Sequence, residues 1–200
     1  QDEEVRHRPP VKVRLLHTAD VPPGHVRSAF SGLAPPLVAG ESTAFRVSLA
    51  KFYDRPRAQY DAASVLDAVP EPEAGWMNLL LVGVDLFVPA LTYVFGLSHL
   101  GGRRGVLSLA RLKPPEESFS SEEVLLRRLD VEVAHELGHA AGLVHCVVND
   151  CAMHRSLWPE SVDLKNPAFC ASCRARAHRR PHPGRQRRPR PGHPRHRRHP

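Results

Sequence analysis

The hydrophobic positions of the 200-residue chain follow two periods, one typical of strands and the other typical of helices. Apolar and basic residues alternate from Val11 to Leu16, which predicts a half-buried strand. Apolar residues at positions 26, 30 and 33 keep helical spacing and predict a helix that Pro35-Pro36 stops. Alternation returns from Phe45 to Leu49 and predicts a second strand.

The middle of the chain holds the predicted centre of the sheet. One apolar helical face runs through residues 57–69 and ends before Pro70, so we expect a helix there. Residues 78–84 are almost continuously apolar, as in a strand covered on both faces, and we place this strand centrally. Residues 91–97 suit an exposed edge strand, and a glycine-rich turn at 101–105 leads into a further strand at 106–112.

The longest predicted helix has a clear beginning and ends at a glycine. Ser120 and Glu123 form an S-x-x-E capping box, and Phe119 and Val124 are placed as a hydrophobic staple. The predicted end is Gly142. Between these signals an apolar stripe at helical spacing predicts packing on the sheet, and it consists of Leu125, Leu129, Val133 and Leu137.

The last turns of this helix carry residues that suit a zinc site. His135 and His139 are four positions apart, so their imidazoles lie on one helical face and can bind one ion. Gly142 can take a positive φ and reverse the chain, which lets His145 become a third ligand. A catalytic zinc keeps one position for water, and Glu136 beside it is the predicted general base.

All four cysteines, Cys146, Cys151, Cys170 and Cys173, lie in one 28-residue window. An even cysteine count is compatible with two disulfides in a secreted chain of this size. Paired short spacings are usual in four-thiolate zinc sites, whereas adjacent C-x-x-C pairs rarely bridge comfortably. The sequence therefore favours a structural zinc over disulfides, and with it a reducing, cytoplasmic location.

Composition predicts one folded domain and a tail. With 42% hydrophobic residues, the chain can form one sizeable core. Residues 174–200 hold eleven of the 28 basic side chains and no acidic one, so the preceding part has 17 basic and 21 acidic groups and a net charge of −4. We predict a domain at 1–173 and a disordered tail at 174–200. The tail either binds nucleic acid or acidic partners electrostatically or is an adventitious extension.

The order of these motifs resembles the archaemetzincins, a family of metzincin-clan zinc metalloproteases. In that family HExxHxxGxxH runs directly into CxxxxC, followed by a methionine and CxxC, and the methionine here is Met153. The resemblance implies that the three histidines hold catalytic zinc, that Glu136 is the base, and that Met153 forms the turn beneath the metal. It also implies a second, structural zinc on the four cysteines. The spacing from Met153 to Cys170 is one residue shorter than in the family, which a loop can absorb.

Upstream of these motifs the likeness is looser. It rests on Gly83, Asp85, Pro89, Phe95-Gly96, Gly101-Gly102 and Ser108-Leu109-Ala110-Arg111-Leu112. Metzincin-like folds bind extended substrate along an antiparallel edge strand, a general recognition mode, and the resemblance places this strand between Leu91 and Leu109. An ordinary hairpin without a substrate role is the alternative.

These observations predict an α/β, metzincin-like zinc metallopeptidase fold with a twisted mixed sheet, a long active-site helix and an irregular C-terminal part stabilised by zinc. The predicted function is hydrolysis of peptide or protein substrates by a zinc-bound water, with two zinc ions on a monomeric chain. The alternative is a non-catalytic zinc module that binds nucleic acid or protein through its four-cysteine knot and basic tail. Asp130 and Glu132 are interpreted as solvated charges rather than partners of an imidazole. Because no apolar run approaches about 18 residues, we expect no membrane segment.

Overall fold

A computed structural model of the chain describes residues 10–31, 33, 35–114 and 121–177. The strands, numbered in chain order, are β1 Val11–His17, β2 Leu37–Ala44, β3 Tyr53–Asp54, β4 Gln59–Asp61, β5 Trp76–Val82, β6 Leu86–Phe87, β7 Gly96–Ser98 and β8 Arg104–Ser108. The helices are α1 Pro23–Ser28, α2 Ala62–Asp67, α3 Ser121–Ala140, α4 Pro159–Val162 and α5 Ala171–Ala177. Among these described helices, none is long and apolar enough to cross a bilayer.

Five strands form one twisted sheet in the order β2-β1-β5-β8-β7. The pairs β1–β2, β1–β5 and β5–β8 are parallel, whereas β7 runs antiparallel to β8 at the edge. A smaller sheet joins β3, β4 and β6. The predicted mixed α/β sheet is therefore confirmed, and the apolar run at 78–84 does mark its central strand, β5.

Helices cover both faces of the larger sheet because consecutive residues of β5 point to opposite sides. Leu79 and Leu81 pack in one core with the predicted apolar stripe of α3, represented by Leu129 and Val133. Leu80 packs on the other face in a second core that includes α2. Fully burying one leucine contributes about 1.5 to 3 kcal/mol, so these layers hold α3 firmly against the sheet.

A third, smaller core is built by the segment that follows α3. Buried Met153 and Phe169 pack there with Ala134 of α3, and Cys173 and Ala177 of α5 close the cluster. Most of this segment lacks regular structure. Its own apolar contacts therefore fix an irregular C-terminal part against the long helix.

Two predicted elements are displaced along the chain. The strand predicted at 45–49 lies at Leu37–Ala44, where backbone pairing with β1 holds an edge strand whose only buried residue is Leu37. The helix predicted at 57–69 begins at Ala62, because the carboxylate of Asp61 accepts the Ser64 amide at 2.7 Å and caps it there. Hydrophobic alternation could not locate β2, since it is held by backbone bonds rather than by burial.

Other boundaries differ by a few residues. The edge strand predicted at 91–97 is confined to β7 at Gly96–Ser98, and the strand predicted at 106–112 is β8 at Arg104–Ser108. The capping residues Phe119 and Ser120 lie outside the described residues, as does most of the predicted tail, at 178–200. Residues 174–177, which were predicted as tail, form the end of α5.

Candidate functional site

The end of α3 is fixed by Gly142, as predicted. Gly142 has a φ of 96°, a conformation that favours glycine. Its amide donates to the His139 carbonyl at 2.8 Å, and the Leu143 amide donates to the Gly138 carbonyl at 2.8 Å. These two bonds form a Schellman motif, which ends the helix and directs the chain back towards His145.

The turn between β7 and β8 supplies further bonds to the same helix end. The amides of Gly101 and Arg103 donate to the carbonyls of His139 and Ala140 at 2.9 and 3.1 Å. Carbonyl groups at a helix C-terminus need such partners. The last turn of α3 is thereby tied to the edge of the sheet.

The three predicted zinc ligands converge. His135, His139 and His145 each bring a ring nitrogen within 4.8 Å of the others. The Nδ1 atom of His135 donates to the Ala152 carbonyl at 2.7 Å, and that of His139 donates to the Leu143 carbonyl at 2.8 Å. Because a carbonyl only accepts, both rings carry their proton on Nδ1 and offer a lone pair on Nε2.

The geometry of these lone pairs fits zinc. The Nε2 atoms of His135 and His139 lie 3.1 Å apart, where two lone pairs repel each other unless a cation binds both. Ligands at 2.0 to 2.1 Å from a tetrahedral zinc are about 3.3 Å apart. Burial lowers the pKa of all three imidazoles, that of His145 to about 4, and so favours the neutral form that binds metal.

The carboxylate of Glu136 is buried next to the histidines. Its Oε2 atom accepts a 2.7 Å hydrogen bond from the Ser98 hydroxyl on the edge strand β7. Burial raises the pKa of Glu136 to about 8, and the bond from Ser98 opposes this shift. A divalent cation nearby would lower the pKa again. A β-carbon at Gly96 would overlap Glu136, so glycine at that position leaves room for the carboxylate.

A cleft of about 630 Å³ opens over these side chains. It runs between the edge strand β7 and α3, and the segment after Gly142 forms its remaining wall. Its lining is largely apolar, with Val88, Leu91, Val94, Phe95, Leu97, Leu100, Val144 and Leu157 beside the histidines, Glu132, Glu136 and Arg155. The cleft can therefore admit an extended apolar segment next to the histidine cluster.

The four cysteines also converge, with their sulfur atoms within 4.8 Å of one another. All four are free thiols, and the Cys146 and Cys170 sulfurs are 3.8 Å apart, so the disulfide alternative is wrong for this structure. Thiolates at 2.3 Å from a tetrahedral zinc are about 3.8 Å apart. Sulfur atoms accept bonds from the Val148 and Cys170 amides at 3.4 and 3.3 Å, contacts that stabilise thiolate charge. The cluster fits zinc.

Two charged residues near the site were not recognised from the sequence. Glu132, interpreted above as a solvated charge, is 2% exposed and pairs with fully buried Lys165 at 2.8 Å. The interpretation of Glu132 was therefore wrong. Its place one helical turn before His135 was an available signal, whereas Lys165 lies in an irregular segment and gave none. Asp130 is half-buried near Ser31, and burial raises its pKa to about 6.

Comparisons with known proteins agree with this geometry. Residues 41–179 match the model of peptidase family M54. The archaemetzincin of Halobacterium salinarum is 36% identical over 172 residues, which cover 82% of this chain and 97% of that protein.

Solved archaemetzincin structures share the fold. The Archaeoglobus fulgidus structure, complexed with malonate, matches with a TM-score of 0.71 and 30% identity over 83% of this chain and 99% of that one. The Methanopyrus kandleri structure matches with a TM-score of 0.72 and 29% identity over 84% of this chain and 93% of that one. The mixed sheet and long helix described above thus recur in both.

Proposed function

The chain belongs to peptidase family M54 and is a zinc metallopeptidase with a metzincin-like fold, and we propose that Glu136 is the general base of its peptide-bond hydrolysis. We further assign a catalytic zinc to His135, His139 and His145. One observation carries the proposal: a buried carboxylate lies beside three converged imidazoles at the base of an apolar cleft.

The zinc, when bound, supplies Lewis acidity that polarises a carbonyl and lowers the pKa of water to about 7. The chain's own contribution is to hold the reacting groups and to move a proton. Ser98 holds one oxygen of Glu136, which leaves the other to take a proton from the attacking water and return it to the departing amine. Burial of Glu136 keeps bulk water from competing for this proton.

The edge strand β7 is the proposed substrate-binding strand. Its bonds to β8 include the Phe95 carbonyl and the His99 amide, at 2.7 and 3.1 Å. Because antiparallel pairing alternates, the backbone groups of Gly96 and Ser98 point away from β8, along the open side of the strand. An extended peptide can pair with these groups, while its side chains enter the apolar cleft.

A second, structural zinc on Cys146, Cys151, Cys170 and Cys173 completes the proposal and brings the metal count to two. Four free thiols arranged to hold a metal also favour a reducing, cytoplasmic location. The alternative of a non-catalytic module depends on the basic tail, most of which lies outside the described residues. The position of Glu136 in the cleft favours the peptidase instead, since a purely structural zinc site needs no carboxylate beside its ligands.

Metal analysis and a peptide-library cleavage assay on the full chain test the proposal together. We expect two zinc ions per chain and chelator-sensitive cleavage of peptides with apolar residues near the scissile bond. A chain that holds only one zinc, on its cysteines, and cleaves no peptide would contradict the proposal.

A further inference from the structure

Lys165 has the largest fully buried side chain among the described residues. It lies between α4 and α5, and its ammonium group donates to the Glu132 carboxylate at 2.8 Å and to the His154 and Ala152 carbonyls at 3.2 and 3.4 Å. An ammonium has three N–H donors, and here each has a partner. Lysine is almost never fully buried without such pairing, so these bonds explain why Lys165 can lie inside the protein.

The carbonyl of Ala152 is shared between Lys165 and a histidine. Its oxygen accepts Nδ1–H of His135 at 2.7 Å and also accepts the Lys165 ammonium. A carbonyl has two lone pairs and can accept both bonds. Because the partner of Nδ1 fixes how an imidazole ring is turned, the position of this oxygen sets where Nε2 of His135 points.

Lys165 also bonds to the residues on both sides of Met153 in the chain, because it donates to the carbonyls of Ala152 and His154. Met153 is fully buried and packs against Gly138 of α3. An apolar side chain in place of the ammonium could fill the space but would remove the donor of the His154 carbonyl and leave the Ala152 carbonyl held by His135 alone. A buried oxygen left without a donor costs about 1 to 3 kcal/mol.

We propose that Lys165 and Glu132 are positioning residues of the histidine site: they hold the Ala152 carbonyl in the place that orients His135. Glu132 keeps the ammonium against α3, one turn before His135. The inference rests on the proposed function, because it takes the three histidines as metal ligands. Because the Glu132 carboxylate is paired with the Lys165 ammonium at 2.8 Å, we assign both residues to positioning rather than to metal binding.

The competing explanation is a buried ion pair that merely contributes to folding. The chain offers a matched control for this, because Arg128, one turn before Glu132 on α3, is also buried. Its guanidinium donates to Asp163 at 2.8 and 2.7 Å and to the Leu112 carbonyl at 3.1 Å, rather than to residues of the histidine site. Removing its charge disturbs a partly buried ion pair anchored on the same helix, because the Asp163 side chain is 35% exposed, and it leaves the Lys165 bond to the Ala152 carbonyl in place.

The test compares Lys165→Met with Arg128→Met in the full chain. Zinc retention against a chelator is measured beside thermal unfolding, and His139→Ala identifies which zinc belongs to the histidine site. We expect both variants to unfold at lower temperature. Only Lys165→Met should weaken zinc at the histidines, by about 10-fold, the lower end of the range for losing a direct outer-shell partner, because the Ala152 carbonyl itself remains.

A spectroscopic measurement follows the geometry directly. In the NMR spectrum, the Nδ1 protons of His135 and His139 report their bonds to Ala152 and Leu143. Lys165→Met should shift the His135 proton and leave the His139 proton in place. Arg128→Met should shift neither.

A double variant, Glu132→Gln with Lys165→Met, separates folding from positioning. Removing both charges avoids an unpaired buried charge, so the double variant should regain part of the lost thermal stability. Zinc affinity should stay low, because the Ala152 carbonyl still lacks its ammonium. If Lys165→Met does not fold, Glu132→Gln and the double variant decide in the same assays.

Two results would overturn the inference. The first is that the Lys165 and Glu132 variants retain zinc as tightly as the unchanged chain and show the same chemical shift for the His135 proton. The other is an equal loss of zinc in Arg128→Met. Failure of the proposed function looks different: a chain that binds zinc on its histidines but cleaves no peptide would reject the peptidase mechanism, while the variant comparison would still stand.

Discussion

The backbone amide of Cys146 donates a 2.8 Å hydrogen bond to the carbonyl of Met153, which joins the cysteine cluster to the turn that packs on α3. The ring of His154 adds a second link, because its Nδ1 donates to the Cys146 carbonyl at 2.9 Å. Cys146 directly follows His145 in the chain. The segment that carries the third histidine is therefore held by the cysteine cluster and, through these two bonds, by the turn at Met153.

Replacing Glu136 with alanine should abolish hydrolysis while the zinc content stays at the level of the unchanged chain. The carboxylate is proposed as a base rather than a ligand, and losing general-base assistance typically costs about 10² to 10⁴ in rate. The measurement is the single-turnover cleavage rate beside metal analysis. Glu123→Gln, an exposed position on the same helix where glutamine also satisfies the predicted capping box, is the control and should retain full activity. Near-normal cleavage by Glu136→Ala would rule out the assigned role.

Gly138→Ala should destabilise the protein although alanine is the better helix former by up to about 1 kcal/mol. A β-carbon there would overlap the sulfur of buried Met153 and lie 3.1 Å from the ring of Phe169. Overpacking of this kind typically costs about 1 to 3 kcal/mol. Urea unfolding measures the effect, with Gly24→Ala as the control, since only the Arg27 side chain approaches that site, at 4.0 Å. Equal stability of both variants would show that the turn at Met153 moves to make room for the added β-carbon at little cost in free energy.

The effect of a substitution at Gly142 on zinc retention should follow the cost of a positive φ for the new residue. Alanine at a φ of 96° is strained by about 1 to 2 kcal/mol, whereas asparagine tolerates the left-handed region better. We therefore expect zinc retention to fall in the order glycine, asparagine, alanine, because the same turn directs the chain to His145. Chelator titration of the three proteins checks this order. Asparagine retaining less zinc than alanine would point to a cause other than backbone conformation.

Truncation should be tolerated after Ala177 but not after Cys173. All seven residues of the two described clusters precede residue 178, so a chain of residues 1–177 should keep both metals and its activity. Ending at Cys173 also removes Arg176, whose guanidinium lies 3.1 Å from the Cys173 sulfur, and the buried side chain of Ala177. Metal analysis of both truncated chains tests the boundary. If the chain that ends at Cys173 keeps two zinc ions, α5 contributes nothing beyond Cys173 to the cysteine site.

Any nucleic-acid binding should disappear when residues 178–200 are removed. In the full chain it should weaken steeply as the salt concentration rises.

Burial patterns account for what could be predicted about the fold. The apolar run of β5 and the stripe on α3 are properties of sequence alone, because both elements are defined by the cores that they fill. The strand β2 escaped prediction because seven of its eight residues are not buried and its pairing depends on the backbone. The start of α2 depends on one contact, from the Ser64 amide to the Asp61 carboxylate, which a search for periodicity does not weigh.

The candidate site likewise has parts that could be predicted from the sequence and parts that could not. Ligand spacing on a helix and a glycine at its end are local, so the convergence of His135, His139 and His145 could be predicted from eleven consecutive residues. Lys165 reaches Glu132 across 33 positions through an irregular segment, and no local pattern marks such a partner. The link between Ser98 and Glu136 joins an edge strand to a helix 38 positions away and is hidden for the same reason.

Replacing Cys170 with serine should weaken the zinc on the histidines as well as that on the cysteines. Structural zinc binding is worth roughly 10 kcal/mol or more, and in small metal-held segments it is folding free energy. Losing one thiolate should therefore loosen Cys146 and, through its 2.8 Å bond, the turn at Met153, so that His145 is no longer held in place. Zinc stoichiometry during chelator titration of Cys170→Ser and of the control Ser172→Ala, an exposed neighbour, measures the effect. If Cys170→Ser loses one zinc yet holds the other as tightly as the control and remains active, the two sites are independent, and the bond between Cys146 and Met153 transmits nothing.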